Sequence, residues 1–187
     1  LNFDASPSLR LERLFLIGKL INRNQERFPP NVYYGDIVKR PLTKENSAKG
    51  VYCSHVLEHL SLNDCRKSLK NTYKMLEPGG IFRFVLPDLH YFSKLYINGE
   101  INSIDFMTLT GLGKEKRNKS FKQLIINFYG NSSHLWMWDF ESLAIELSNI
   151  GFKNIRRANF ADSSDKTFLL VEEEKRWINC LGIECNA

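Results

Sequence analysis

The 187-residue chain has only four cysteines, Cys53, Cys65, Cys180 and Cys185, and they form neither a Cys-x-x-Cys pair nor a zinc-ligand spacing. Nothing in that pattern supports a disulfide framework or a structural zinc site, so reduced, buried thiols are expected. No apolar run is long enough to span a bilayer. Neither a secretory signal nor a transit segment opens the chain, so a cytoplasmic location is the default expectation; Leu1 in place of Met puts the true start upstream or removed. Glycine-rich phosphate loops are missing too: Gly111-Leu112-Gly113 is the only Gly-x-Gly, and charge rather than an apolar helix follows it. Internal repeats are absent.

The length fits a single domain over residues 1–187, large enough to bury roughly two-thirds of its unfolded surface. The formal net charge is +5, with one dense basic cluster at Lys114–Lys122 (KEKRNKSFK). Such a cluster is a solvated face or an attractor of phosphate-bearing partners. It lacks the run of interleaved aromatic residues that a stacking platform requires, so nucleic acid is not the expected partner.

The most informative stretch is Val51–Leu60 (VYCSHVLEHL), followed by an amphipathic helix and then by LEPGGIFRFVLPD at Leu76–Asp88. A short apolar run that breaks into polar residues, a helix, and a Pro-Gly-Gly turn into a second apolar run together make a β-α-β crossover. Ligands of such units bind beyond the carboxyl ends of the strands, here Cys53–His59 and Pro87-Asp88. Ser61 and Asp64 are spaced as a capping box, and Leu62, Cys65, Leu69, Tyr73 and Leu76 form one helical stripe.

Elsewhere, Leu1–Asp4 reads as the tail of a strand ending in a carboxylate. Ser6-Pro7-Ser8 offers the cap of a helix running to Ile21, and Asn31–Ile37 reads as a short strand ending at Gly35-Asp36. Residues 92–131 read as a helical insertion on the substrate side. Asp139 caps a helix with the stripe Phe140, Leu143, Ala144, Leu147 and Ile150, which Gly151 stops. Strands are expected at Asn154–Phe160 and Cys180–Cys185. This order specifies an α/β open sheet of mostly parallel strands with helices on both faces and an antiparallel last strand.

In YCSHVLEHL (Tyr52–Leu60), YKMLEPGGIFRFVLPDL (Tyr73–Leu89), YGDI (Tyr34–Ile37) and HLWMWDFESLAIELSNIGF (His134–Phe152), the chain resembles the class I S-adenosylmethionine-dependent methyltransferases, specifically their small type 11 branch. The resemblance implies a Rossmann-like sheet with S-adenosylmethionine laid across the strand ends and S-adenosylhomocysteine as product. It implies that Asp4 accepts hydrogen bonds from the ribose hydroxyls and Asp36 from the adenine amino group, and that Ile37 lines the base. A carboxylate suits the ribose because it offers two acceptor oxygens and no donor. Cys53, Ser54 and His55 would line the floor beneath the methionine part. Turn aspartates are the alternative for Asp4 and Asp36. The family's glycine-rich motif, which belongs at the end of a first strand, is not found, so the chain reads as starting at the second strand.

His134 is the candidate catalytic residue on the acceptor side, since its imidazole titrates near neutrality beside Trp136 and Trp138. Asp88 is the alternative base or orienting residue. His134 as a buttress between the insertion and the next helix is the competing structural role. His55 and His59, four apart, are spaced to meet on a helix turn, but Glu58 directly precedes the second histidine and no third ligand is evident, so no metal is expected. The expected activity is methyl transfer by in-line displacement to a small-molecule or saccharide-type acceptor. A non-catalytic methyltransferase-like binding module is the alternative. A nucleic-acid methyltransferase is the third reading, and it lacks the Asn/Asp-Pro-Pro-Tyr type signature where Ser54-His55-Val56-Leu57 stands.

Overall fold

The computed structural model describes residues 1–6, 9, 28–114 and 133–187. Apart from Ser6 and Leu9, the expected helix from Ser6 to Ile21 lies outside the described residues, as does most of the basic cluster after Lys114. In chain order the elements are β1 (Asn2–Asp4), β2 (Val32–Tyr34), β3 (Ala48–Ser54), α1 (Leu62–Met75), β4 (Leu76–Pro87), α2 (Leu89–Ile97), α3 (Ser103–Leu109), α4 (Phe140–Ile150), β5 (Lys153–Ala158) and β6 (Cys180–Asn186). Single 3-10 turns lie at Leu57–His59, Lys166–Leu170 and Glu174–Arg176.

The sheet follows from the alternation in β4 and β6. Phe82, Phe84 and Leu86 point to one face with Leu181, Ile183 and Cys185, and all six are essentially buried in one cluster with Leu69 of α1 and Leu143 and Leu147 of α4. Burial of each large side chain contributes roughly 1.5–3 kcal/mol relative to exposure. The intervening residues Arg83 and Glu184 face the other way, where Val85 and Ala158 pack against Trp177. Among the described residues, that second face is covered by the segment between β5 and β6.

The main sheet has the order β3-β4-β6-β5: β3 and β4 are parallel, and β6 lies antiparallel to both β4 and β5. This is an α/β fold with mostly parallel strands and an antiparallel last strand, as the sequence led us to expect. β1 and β2 form a separate parallel pair, with Asp4 opposite Tyr34.

The helix ends obey the sequence signals. Ser61 caps α1 by accepting from Asp64 N, but the Asp64 carboxylate accepts from the Ser61 hydroxyl at 3.0 Å, so only half of the expected capping box forms; Asp139 caps α4 by accepting from Ser142 N. Gly151 ends α4 at φ 123°, where a side chain is disfavoured. The described part of residues 92–131 contains most of α2, which already begins at Leu89, together with α3 capped by an Asn102–Asp105 capping box. No helix among the described residues is long and apolar enough to cross a membrane.

Candidate functional site

The carboxyl ends of β3 and β4 are spanned by the segment 133–138. Trp138 forms a parallel bridge with Asp88, and Leu89 N donates to Trp138 O at 2.9 Å. Leu135 N and Trp136 N both donate to Glu58 O, at 2.7 and 3.2 Å. His134 N donates to Gly111 O at 3.2 Å, and the His134 ring donates through Nδ1 to Thr110 O at 2.7 Å. These bonds bring the 133–138 segment, the turn after β3 and the end of α3 to one place, so the sequence-predicted residues His134 and Asp88 lie at the same edge as Ser54 and His55.

Gly111 suits this placement. Its φ is +66°, and a Cβ there would stand 2.8 Å from His134 Nδ1.

His55 and His59 do not meet on a helix turn as their spacing suggests. The 3-10 turn includes only Leu57–His59, and His55 precedes it at φ +54° with its N–H donated to Val85 O. His59 instead stacks edge-on against His134, with ring centroids 4.9 Å apart, and its Nδ1 donates to Ser133 O at 3.2 Å. His55 turns to the C-terminal segment: Nε2 donates to Arg176 O at 2.9 Å, and Nδ1 lies 3.2 Å from Glu58 Oε1. The Cys180 sulfur at 4.0 Å and the Glu58 carboxylate raise the His55 pKa to about 10, against the opposing effect of burial.

Arg176 also donates from Nε to Ser54 Oγ at 2.7 Å and from Nη2 to Ser54 O at 3.3 Å. Nothing local in the sequence announces this contact, because its partners are separated by nearly the whole crossover and insertion. The Cys53 thiol is pushed far up by burial and by the Glu58 charge, so it is a neutral packing group rather than a nucleophile.

Asp4 and Asp36 both make turn contacts. Asp4 Oδ1 accepts from Ser6 N, and Gly35 N donates to Asp4 O at 3.1 Å. Asp36 Oδ1 accepts from Val38 N at 3.1 Å and Oδ2 pairs with Lys39 at 3.1 Å. Ile37 O accepts from Asn71 Nδ2 at 2.6 Å, which ties this turn to α1. Asp88 caps α2 through His90 N at 2.9 Å, and Arg157 Nη1 lies 3.6 Å from its other oxygen.

Sequence reasoning missed two features. The first is Arg83, completely buried within an apolar strand and bonded to Glu172, to Asp162 at 2.9 Å, to Glu184 at 3.0 Å and to Asn159 O at 2.6 Å, with Trp177 stacked 4.6 Å away. A lone arginine between phenylalanines was the available signal. The second is the grouping of Glu58, His59 and His134, whose ligand atoms all lie within 4.8 Å of one another.

Residues 16–84 match the family model described as "Methyltransferase domain", the family to which the sequence motifs bear resemblance. No curated protein matches the chain. Among solved structures, the chain is similar to a SAM-dependent methyltransferase from Archaeoglobus fulgidus, at 15% identity and a TM-score of 0.48 over 99% of this chain and 74% of that one. It is also similar to human N-acetylserotonin methyltransferase in complex with SAM, at 14% identity and a TM-score of 0.44 over 88% of this chain. A Haemonchus contortus phosphoethanolamine N-methyltransferase in complex with S-adenosyl-L-methionine matches at 14% identity and a TM-score of 0.42 over 83% of this chain. The chain spans 36% of the length of each of these last two.

Proposed function

We propose that this chain supports methyl transfer from S-adenosylmethionine, by direct in-line displacement, to a small-molecule or saccharide-type acceptor. The observation that carries this reading is the convergence of YCSHVLEHL, LEPGGIFRFVLPDL and HLWMWDF at the carboxyl ends of β3 and β4. The donor chemistry fits the cofactor. Asp4 and Asp36 are acceptor-only carboxylates at or just beyond the ends of two paired parallel strands. Gly35 beside them sits where a Cβ would meet Phe3 and Leu42 at 2.8 Å, so the chain turns tightly at that edge.

In this reading Asp4 holds the ribose hydroxyls, Asp36 the adenine amino group, Ile37 lines the base, and Cys53, Ser54 and His55 form the floor of the methionyl side. Bound there, the cofactor supplies a sulfonium-activated methyl group. His134, whose Nδ1–H is donated to a carbonyl, keeps its lone pair on Nε2, as a base receiving a proton from an acceptor hydroxyl must. Asp88 holds α2 and the 133–138 segment in place beside it, and residues 92–131 serve as the acceptor-side insertion.

The hold of Arg176 on Ser54 and His55 favours a second reading, a methyltransferase-like binding module without turnover. Titrating the full-length protein calorimetrically with S-adenosylmethionine and S-adenosylhomocysteine tests the cofactor site: no binding of either removes the enzyme, and where both bind, release of S-adenosylhomocysteine on incubation with candidate acceptors supports the enzyme and its absence supports the module. Asp4→Ala is expected to weaken binding at least tenfold with the fold intact, and unchanged affinity would take Asp4 out of the site.

A further inference from the structure

We propose that Glu58, His59 and His134 bind a single divalent transition-metal ion. One ligand atom from each lies within 4.8 Å of the others, and Glu58 is fully buried while both imidazoles are half-buried. The two histidines present the arrangement of metal-ligating imidazoles. Each donates Nδ1–H to a main-chain carbonyl, Ser133 O or Thr110 O, which can only accept. That fixes the tautomer with the ring lone pair on Nε2 and orients the ring from behind.

The carboxylate supplies the second, independent observation. Neither Glu58 oxygen forms a hydrogen bond among the described residues, although Oε1 lies 3.2 Å from His55 Nδ1. His55 Nδ1 offsets the charge at Oε1, but Oε2 is equally buried and has no partner among the described residues, and a cation there is what compensates it. His55 then stands behind the ligand Glu58, as the two carbonyls stand behind the histidines.

Two imidazole nitrogens and one carboxylate oxygen suit zinc, iron or nickel rather than magnesium or calcium. Ligand lengths of about 2.0–2.2 Å place donor atoms roughly 3.3 Å apart in a tetrahedral set, so a group spread within 4.8 Å has to contract by up to about 1.5 Å to hold an ion. Three protein ligands leave a position for water or for an oxygen of an incoming molecule. Resting on the proposed methyl transfer, and only there, an ion held by His134 Nε2 would take over from that imidazole as the activating group: it would lower the pKa of the acceptor hydroxyl so that its proton passes to water. The spacing around His55 and His59 hid this site because its third ligand comes from beyond the insertion.

The test requires no methyl donor. Full-length protein stripped with chelator is titrated with ZnCl2 alone, and separately with CoCl2 while visible absorption is recorded. One equivalent of zinc is expected to bind, His134→Ala and Glu58→Gln are each expected to weaken it at least tenfold, and His90→Ala, an exposed histidine outside the group, is expected to leave it unchanged. Circular dichroism establishes that the variants are folded. Because a variant that fails to fold decides nothing, X-ray absorption on the zinc-loaded wild type provides the independent reading, with scattering from two imidazoles expected. No stoichiometric zinc at micromolar metal, equal affinity in a folded His134→Ala, or a zinc spectrum without histidine would overturn the proposal. Loss of methyl transfer with zinc binding intact would count against the proposed function alone.

Discussion

Arg83 on β4 and Glu184 on β6 stand directly opposite each other in the antiparallel register and join through Nη1 and Oε2 at 3.0 Å, on the face turned away from α1 and α4. Arg83 is fully buried, so its other donors must also be satisfied, and Glu172, Asp162 and Asn159 O supply the partners. One guanidinium thus fastens the segment between β5 and β6 to the sheet.

Removing that guanidinium leaves Glu172 buried without a cationic partner, while Glu184 keeps only Arg156, at 2.6 Å. Arg83→Ala is expected to lower stability by about 3–5 kcal/mol, the usual cost of breaking a buried ion pair from one side. Urea unfolding midpoints measure the loss, and limited proteolysis is expected to cut first between residues 159 and 179. A loss below about 1 kcal/mol would show the cluster to be incidental.

Asp162 links this cluster to acid stability. Burial opposes its charge, but Arg156, the Asn159 N–H and Arg83 outweigh that effect and bring its carboxyl down to about 2. A carboxyl depressed on folding contributes stability that is fully present above the ordinary aspartate range near 4 and disappears as pH falls toward 2. Wild-type stability is therefore expected to decline between about pH 5 and pH 2, and Asp162→Asn is expected to flatten that part of the curve. Identical slopes in denaturant midpoints for the two proteins would refute it.

Gly111→Ala meets two penalties, a positive φ and a Cβ within contact of the His134 ring. Left-handed backbone alone costs a non-glycine residue about 1–2 kcal/mol. The variant is expected to lose at least that much, and the protected His134 Nδ1–H resonance is expected to shift or vanish in NMR spectra. Unchanged stability and an unmoved resonance would show that the segment relaxes freely.

Asp139→Ala removes the cap of α4, whose Oδ1 accepts from Ser142 N at 2.8 Å. The expected cost is about 1 kcal/mol, seen as a lower thermal midpoint. Asp139→Asn is expected to retain most of the stability.

The fold was legible where its signals are local. The Ser61 cap, the Cys65–Leu69 stripe, the Asp139 cap and the Gly151 stop are each encoded within a few neighbouring residues, and each helix forms where they place it. The antiparallel last strand followed from the missing helix before it. The site was less legible, because its geometry comes from contacts distant in sequence. His59 finds His134, Ser54 finds Arg176, and Arg83 finds Glu172, which had read as part of an acidic connection. Helical spacing also misled at His55, whose left-handed backbone turns its ring away from His59.

The position of β6 has a consequence for how the chain comes off the ribosome. β6 is the last of the described strands to be made, yet it is the one that separates and joins β4 and β5. Until it emerges, β5 has no ladder partner among those strands, and the face of β4 that carries Arg83 lacks Glu184. Such a sheet closes only after translation has passed residue 180, through pairings of β6 with strands on both sides, one of them nearly a hundred residues upstream. Slow closure and exposure of the nascent β4 edge to chaperones follow from that order of synthesis.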